Sequence, residues 1–135
     1  MKIALIAHDS KKELMTQFCI AYCGILSQHT LFSTATTGRN IEAATGLKVE
    51  KYLAGSEGGI EQITAMISLG EVDLLIFFRD PFNLKPHAQT ELELIRLCDA
   101  HSVPCATNIA TAEPLIMALE NGLLDWRNNS KDLNT

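Results

Sequence analysis

The chain has 135 residues, the length of one ordinary domain, and can bury a core without disulfide or metal staples. Apolar residues make up 47% and charged residues 20%, which excludes a disordered chain. Eleven Lys and Arg against sixteen Asp and Glu give a net charge of -5, which excludes a general nucleic-acid or anionic-membrane binder but leaves room for one local basic pocket.

The elements alternate from end to end. Lys2 to Ala7 reads as an apolar strand. Ser10, with Glu13 three residues on, has the form of a capping box. The helix it opens is predicted to run to about Ser27, because Leu14, Phe18, Ala21, Tyr22 and Ile25 share a face. Thr30 to Thr34 is a second strand; Thr36-Thr37-Gly38 opens a short helix that Gly46 can close. Lys48 to Leu53 alternates as a third strand, and Gly58-Gly59 leads into a helix through Ser68, closed by Gly70. Asp73 to Phe78 is apolar on both faces, as a central parallel strand must be. A loop from Asp80 to Pro86 precedes a helix over Ala88 to Ala100. Val103 to Thr107 is a fifth strand, Thr111 is placed to cap a last helix, and Pro114 fits its first turn.

This order predicts an α/β fold: a single three-layer domain over 1–135, with a five-stranded, mainly parallel sheet and helices on both faces. No apolar run approaches a membrane span, and MKIALIAHDS lacks a signal peptide's long apolar region. A cytoplasmic protein with no membrane partner is expected. The four cysteines lack C-x-x-C spacing and read as buried, reduced thiols, with no metal site.

In such folds ligands bind beyond the carboxyl ends of the strands. The segments there are His8-Asp9, Thr34 to Gly38, Ala54 to Gly59, Arg79-Asp80 and Thr107-Asn108, which are expected to share one rim. Thr34-Ala35-Thr36-Thr37-Gly38 offers hydroxyls and free helix-end amides, a cradle for an anion such as phosphate, or simply an N-cap. Lys11 and Lys12 stand in a first helical turn, where the dipole disfavours cations. One of them reaching a bound phosphate would explain this; a solvated surface pair is the alternative. Gly55-Ser56-Glu57-Gly58-Gly59 permits close backbone approach to a ligand, or is a turn that needs its glycines. His8 and His87 can polarise a carbonyl or relay a proton, and both map to the rim with Asp9 and Asp80. His29 and His101 read as ordinary structural or surface histidines.

Together these stretches resemble the methylglyoxal synthase family along nearly the whole chain. The resemblance is carried by IALIAHDSKK, TATTGRNIEAATGL, AGSEGGIEQI, DLLIFFRDPFNLKPH, LIRLCDAHSVPCATNIATAE and GLLDWR, in order and at family spacing. It implies a carbon–oxygen lyase that takes dihydroxyacetone phosphate to methylglyoxal and phosphate. It also implies no metal or organic cofactor, a homohexamer, and inhibition by phosphate. By this resemblance Lys12, Thr34, Ala35, Thr36 and Thr37 would hold phosphate, with backbone groups at Ala54-Gly55 in support. His8 and His87 would bind the triose end, Asp9 would support the site and Asp80 would stand close.

The departures from the family fall on the proton-transfer side. The family loop reads S-G-P-x-G-G-D-Q-Q, and its aspartate is the catalytic base; here that position is Ile60. A second family aspartate, three residues past the loop histidine, is Thr90, and Ala54, Ser56 and Ala35 replace a serine, a proline and a glycine. Glu57, Glu61, Asp9 and Asp80 are the carboxylates that could take over the base's task. If helical, residue 61 points about 100° away from position 60. Two functions therefore stand: a methylglyoxal synthase impaired by Ile60, or an inactive homologue that binds phosphate or a phosphorylated triose.

Overall fold

The apolar run from Lys2 and the segment read as apolar on both faces, ending at Phe78, lie side by side in the middle of the sheet. A computed structural model describes residues 1–83 and 88–128. β1 (Lys2–Ala7), β2 (Thr30–Ser33), β3 (Val49–Lys51), β4 (Leu74–Phe78) and β5 (Cys105–Ala106) make a parallel sheet in the order β3-β2-β1-β4-β5. The expected α/β class and five-stranded sheet are therefore observed, with every described pairing parallel.

Alternation along the central strands sorts side chains into two cores. Ile3, Leu5 and Ala7 of β1 and Leu74, Ile76 and Phe78 of β4 face one side. There they meet Met15, Phe18 and Cys19 of α1 (Lys12–Ala21), Ile41 of α3 (Ala35–Thr45) and Ile116 of α6 (Ile109–Glu120). Leu26, in the short α2 (Cys23–Leu26), closes this layer. Ala4, Ile6, Leu75 and Phe77 face the other side, against Ile60, Ile63 and Ile67 of α4 (Gly59–Ser68) and Leu94 and Cys98 of α5 (Ala88–Ala100). At the end of the sheet away from the strands' carboxyl termini, buried Arg127 bonds the Ser102 and Val72 carbonyls and faces Asp73. No described helix is long and apolar enough to cross a membrane.

Several local expectations are corrected. Ser10 does not cap a continuous helix. A 3₁₀ turn over Asp9–Lys11 precedes α1, and the Ser10 hydroxyl donates instead to Asp80. The helix breaks at Tyr22 rather than running to Ser27. Thr34, not Thr36 or Thr37, is the cap position of α3, without a side-chain cap bond. Asn108, not Thr111, caps α6, its side chain accepting from the Thr111 amide. Pro114 consequently lies one turn deeper than expected. Strands two to five are each one to three residues shorter than read from sequence, although single backbone bonds such as Tyr52 N–H to the Ser33 carbonyl extend past their ends. Cys19 and Cys98 are buried, whereas Cys23 and Cys105 are only half-buried; all four are free thiols. Burial pushes the Cys19 thiol up to about 12.

Two glycines shape the turn into α4. Gly58 has φ 103°, a left-handed conformation that side chains disfavour. A Cβ on Gly59 would lie 2.9 Å from the Leu53 carbonyl carbon and 3.0 Å from Thr34 Cγ2, so the loop could not close as it does. Gly59→Ala should therefore lower stability by about 1–3 kcal/mol. Urea denaturation checks this, and an unchanged midpoint would refute the close packing.

Candidate functional site

A cavity of about 310 Å³ opens at the carboxyl ends of β1 to β4. In the order β3-β2-β1-β4-β5 the chain leaves β1 towards one side first and returns on its other side, so the crevice lies at a topological switch point. β1 contributes Ile6 and Ala7, followed by His8, Asp9, Ser10 and Lys12. Thr34 and Thr36 line it from the β2–α3 turn, and Ala54, Gly55 and Ser56 from the turn after β3. Ile60 of α4 and Asp80 and Asn83 beyond β4 complete the lining. The fifth expected segment goes elsewhere. Thr107 and Asn108 line a neighbouring cavity of about 430 Å³ with Lys11 and Arg79. This also separates the two lysines.

The anion-favouring side is well held. Lys12 Nζ donates to Thr37 Oγ1 at 3.1 Å and to the Ala7 carbonyl at 3.3 Å, and lies 3.6 Å from Asp9 Oδ1. Thr37 is buried behind the lining and acts as the lysine's anchor. Thr34 precedes α3, whose first-turn amides have no partner within the helix. Ala35 is half-buried, and its amide donates to the Leu53 carbonyl at 3.4 Å, tying the β2–α3 turn to the segment after β3. The Ala54 carbonyl accepts from the Glu57 and Gly59 amides at 2.9 and 3.0 Å, curling this segment around Gly55. One lysine, two threonines and the amino end of α3 thus border a small volume, a composition suited to a phosphate dianion.

The opposite wall holds His8 and Asp80. The His8 amide donates to the Phe78 carbonyl at 3.0 Å, extending the β1–β4 ladder. Its ring Nδ1 accepts from the Asp80 amide at 3.1 Å, and Nε2 bonds Glu91. Asp80 Oδ1 accepts from the Phe82 amide at 3.0 Å and Oδ2 from the Ser10 hydroxyl at 2.9 Å. These donors hold the Asp80 carboxyl below its ordinary range. Asp9 is fully exposed.

Ile60 belongs to core and cavity at once. It is buried with Ile63 and Ile67 on the apolar stripe of α4, and its Cδ1 approaches within 3.7 Å of where a Gly55 Cβ would stand. Glu57 and Glu61 are exposed and do not line the cavity; Glu61 Oε1 accepts from Thr90 Oγ1 at 3.4 Å. His87 lies outside the described residues. No group of three or more His, Cys, Asp or Glu able to hold a metal occurs among the described residues. Sequence reasoning missed Ser10 as an Asp80 partner and missed Glu91 altogether. The available signal for Glu91 was its spacing: it precedes buried Leu94 and Cys98 on the α5 face that meets the sheet.

The MGS-like domain family model matches residues 16–107. The chain is 58% identical to a methylglyoxal synthase of Caldicellulosiruptor saccharolyticus, over 94% of this chain and 90% of that protein. It is 53% identical to the methylglyoxal synthase of Thermoanaerobacterium thermosaccharolyticum, over 97% and 98% respectively. The crystal structure of methylglyoxal synthase from Elizabethkingia anophelis superposes with a TM-score of 0.77 at 37% identity, covering 85% of this chain and 76% of that one.

The Asp80 environment has a measurable consequence. A depressed folded-state pKa stabilises the fold above the ordinary carboxylate value of about 3.9. That contribution is lost as pH falls through the lower folded value. Ser10→Ala removes one donor and should move the Asp80 pKa upward, read by carboxyl-carbon NMR titration. An unmoved titration would show that the hydroxyl does not stabilise the anion.

Proposed function

Because this chain belongs to the methylglyoxal synthase family, we propose that it is a methylglyoxal synthase-type lyase on dihydroxyacetone phosphate, slowed at the first proton transfer by Ile60. The observation that carries this reading is the asymmetry of the cavity. Its anion side is furnished by Lys12, Thr34 and Thr36, while Ile60 stands on the lining where the family pattern has its base.

The phosphate of the substrate would sit against Lys12, the Thr34 and Thr36 hydroxyls and the first-turn amides of α3. Thr37 would hold the lysine, Ala35 would shape the turn, and the Ala54-Gly55 backbone would close the ligand in. His8 and His87 would face the triose end. A proton must then leave the carbon beside the carbonyl to give an enediolate. The carbon–oxygen bond to phosphate breaks, phosphate departs with the bond pair, and the enol product rearranges to methylglyoxal.

The first step needs an acceptor within hydrogen-bond reach. Ile60 cannot accept a proton. Asp80 and Asp9 are the two carboxylates on the described lining. The low pKa of Asp80 makes it a weak base, and Asp9 stands in solvent near the Lys12 ammonium. Glu57 and Glu61 would each have to leave their observed positions to serve. By family resemblance the working unit is residues 1–135 as one domain, a cytoplasmic homohexamer without cofactor.

Two measurements test this. Ile60→Asp should raise kcat about 10²–10⁴-fold, followed as methylglyoxal and phosphate release. No gain would overturn the assignment of the slow step. A parent with no turnover, yet with phosphate binding intact, would instead favour a phosphate- or triose-binding homologue. Lys12→Met should weaken phosphate binding roughly tenfold or more, the loss of a charge-assisted hydrogen bond, measured by calorimetry. Unchanged affinity would place the anion elsewhere.

A further inference from the structure

Glu91 has no part in the reaction scheme above, yet it is fully buried in the first turn of α5. Burying a carboxylate is costly unless it is paired and hydrogen-bonded. Three features offset this in part, while Oε2 has no hydrogen-bond partner among the described residues. His8 Nε2 bonds its Oε1, Arg79 Nε lies 3.7 Å from the same oxygen, and the amino end of α5 carries a favourable dipole.

The hydrogen bonds at His8 leave one consistent assignment. The Asp80 amide can only donate, so His8 Nδ1, 3.1 Å away, must present its lone pair. The single proton of the neutral ring is then on Nε2, and Glu91 Oε1 must be the acceptor. A chain of contacts therefore runs from the core to the cavity wall, from Glu91 through His8 to Asp80 and on to Ser10.

We propose that Glu91 is a positioning residue: its buried carboxylate holds the His8 imidazole in the Nε2–H form, leaving Nδ1 to fix the Asp80 segment at the cavity wall. This rests on the reading that the cavity takes a phosphorylated triose. Glu91 itself lies behind the wall and touches no reacting atom. Both ring nitrogens are engaged by protein groups, so its effect is on how the His8 ring is oriented and on where the Asp80 segment stands.

The test uses long-range ¹⁵N–¹H NMR of the full chain, with the His8 signals assigned by their loss in His8→Asn. The parent should show His8 as the Nε2–H tautomer. Glu91→Gln loses the anionic acceptor and can turn its amide to Nε2, so the Nδ1–H form should appear, together with loss of the bond from the Asp80 amide to Nδ1; Glu91→Asp should keep more of the parent pattern. In the Ile60→Asp background, Glu91→Gln should lower kcat about 10- to 100-fold with KM little changed. An Nδ1–H parent overturns the proposal, as does a folded Glu91→Gln protein with the parent tautomer. If Glu91→Gln does not fold, the parent and Glu91→Asp spectra decide by the same criteria. Absence of turnover in Ile60→Asp counts against the proposed function and leaves the tautomer result standing.

Discussion

β1 and β4 run side by side in parallel, from Ile3 opposite Leu74 to Ala7 opposite Phe78, with both faces of this ladder buried. Neither strand carries the crossover connection to the other in the next element, so the pairing brings together segments about half the chain apart. One further bond, from the His8 amide to the Phe78 carbonyl, carries the ladder past the end of β1. His8 and Asp80 thereby leave the sheet as neighbours. The cavity, the Asp80 donors and the Glu91 contact all depend on that register, because a one-residue slip would send each side chain to the opposite face.

A net charge of -5 and a cavity side suited to an anion are compatible because that side is local. Lys12 is held by a buried threonine and a strand-end carbonyl, so its charge is directed without the whole surface being basic. The α3 amino end adds partial positive charge that no residue count includes. The opposite wall carries Asp80 instead, its carboxylate favoured by the Phe82 amide and the Ser10 hydroxyl. The cavity is thus polarised, with a cationic side at Lys12 and an acidic group, Asp80, across from it.

Position 60 shows a conflict between packing and chemistry. On α4 it falls in the same stripe as Ile63 and Ile67, so an isoleucine there completes the core against Ala4 and Ile6. It also reaches the cavity, where an acid would find an open, polar neighbourhood. The same side chain cannot serve both needs. Glu91 is the converse case, an acid on a core-facing position, tolerated because His8 and Arg79 face it.

Alternating apolar strands and amphipathic helices were readable from local sequence, and so was the α/β class. Periodicity and turn chemistry operate over a few residues: the bounds of the helix over Ala88–Ala100 and the left-handed Gly46 and Gly58 needed nothing else. Thr34 and Thr36 of the cavity lining were legible as part of a hydroxyl-rich turn at a strand end. What local signals could not settle was the choice among competing partners. Ser10 had the spacing of a cap but found Asp80, seventy residues away. Asn108 took the cap that Thr111 was expected to make. Glu57 and Glu61 flank position 60 in sequence, yet Glu57 in the turn before α4 and Glu61 in the first turn of α4 are both exposed, while Glu91 is buried against His8. Sequence determined which elements form and which faces are apolar, since those depend on neighbours along the chain. Only the tertiary structure decided which polar groups meet, since that depends on strand order and register bringing distant segments within hydrogen-bond reach.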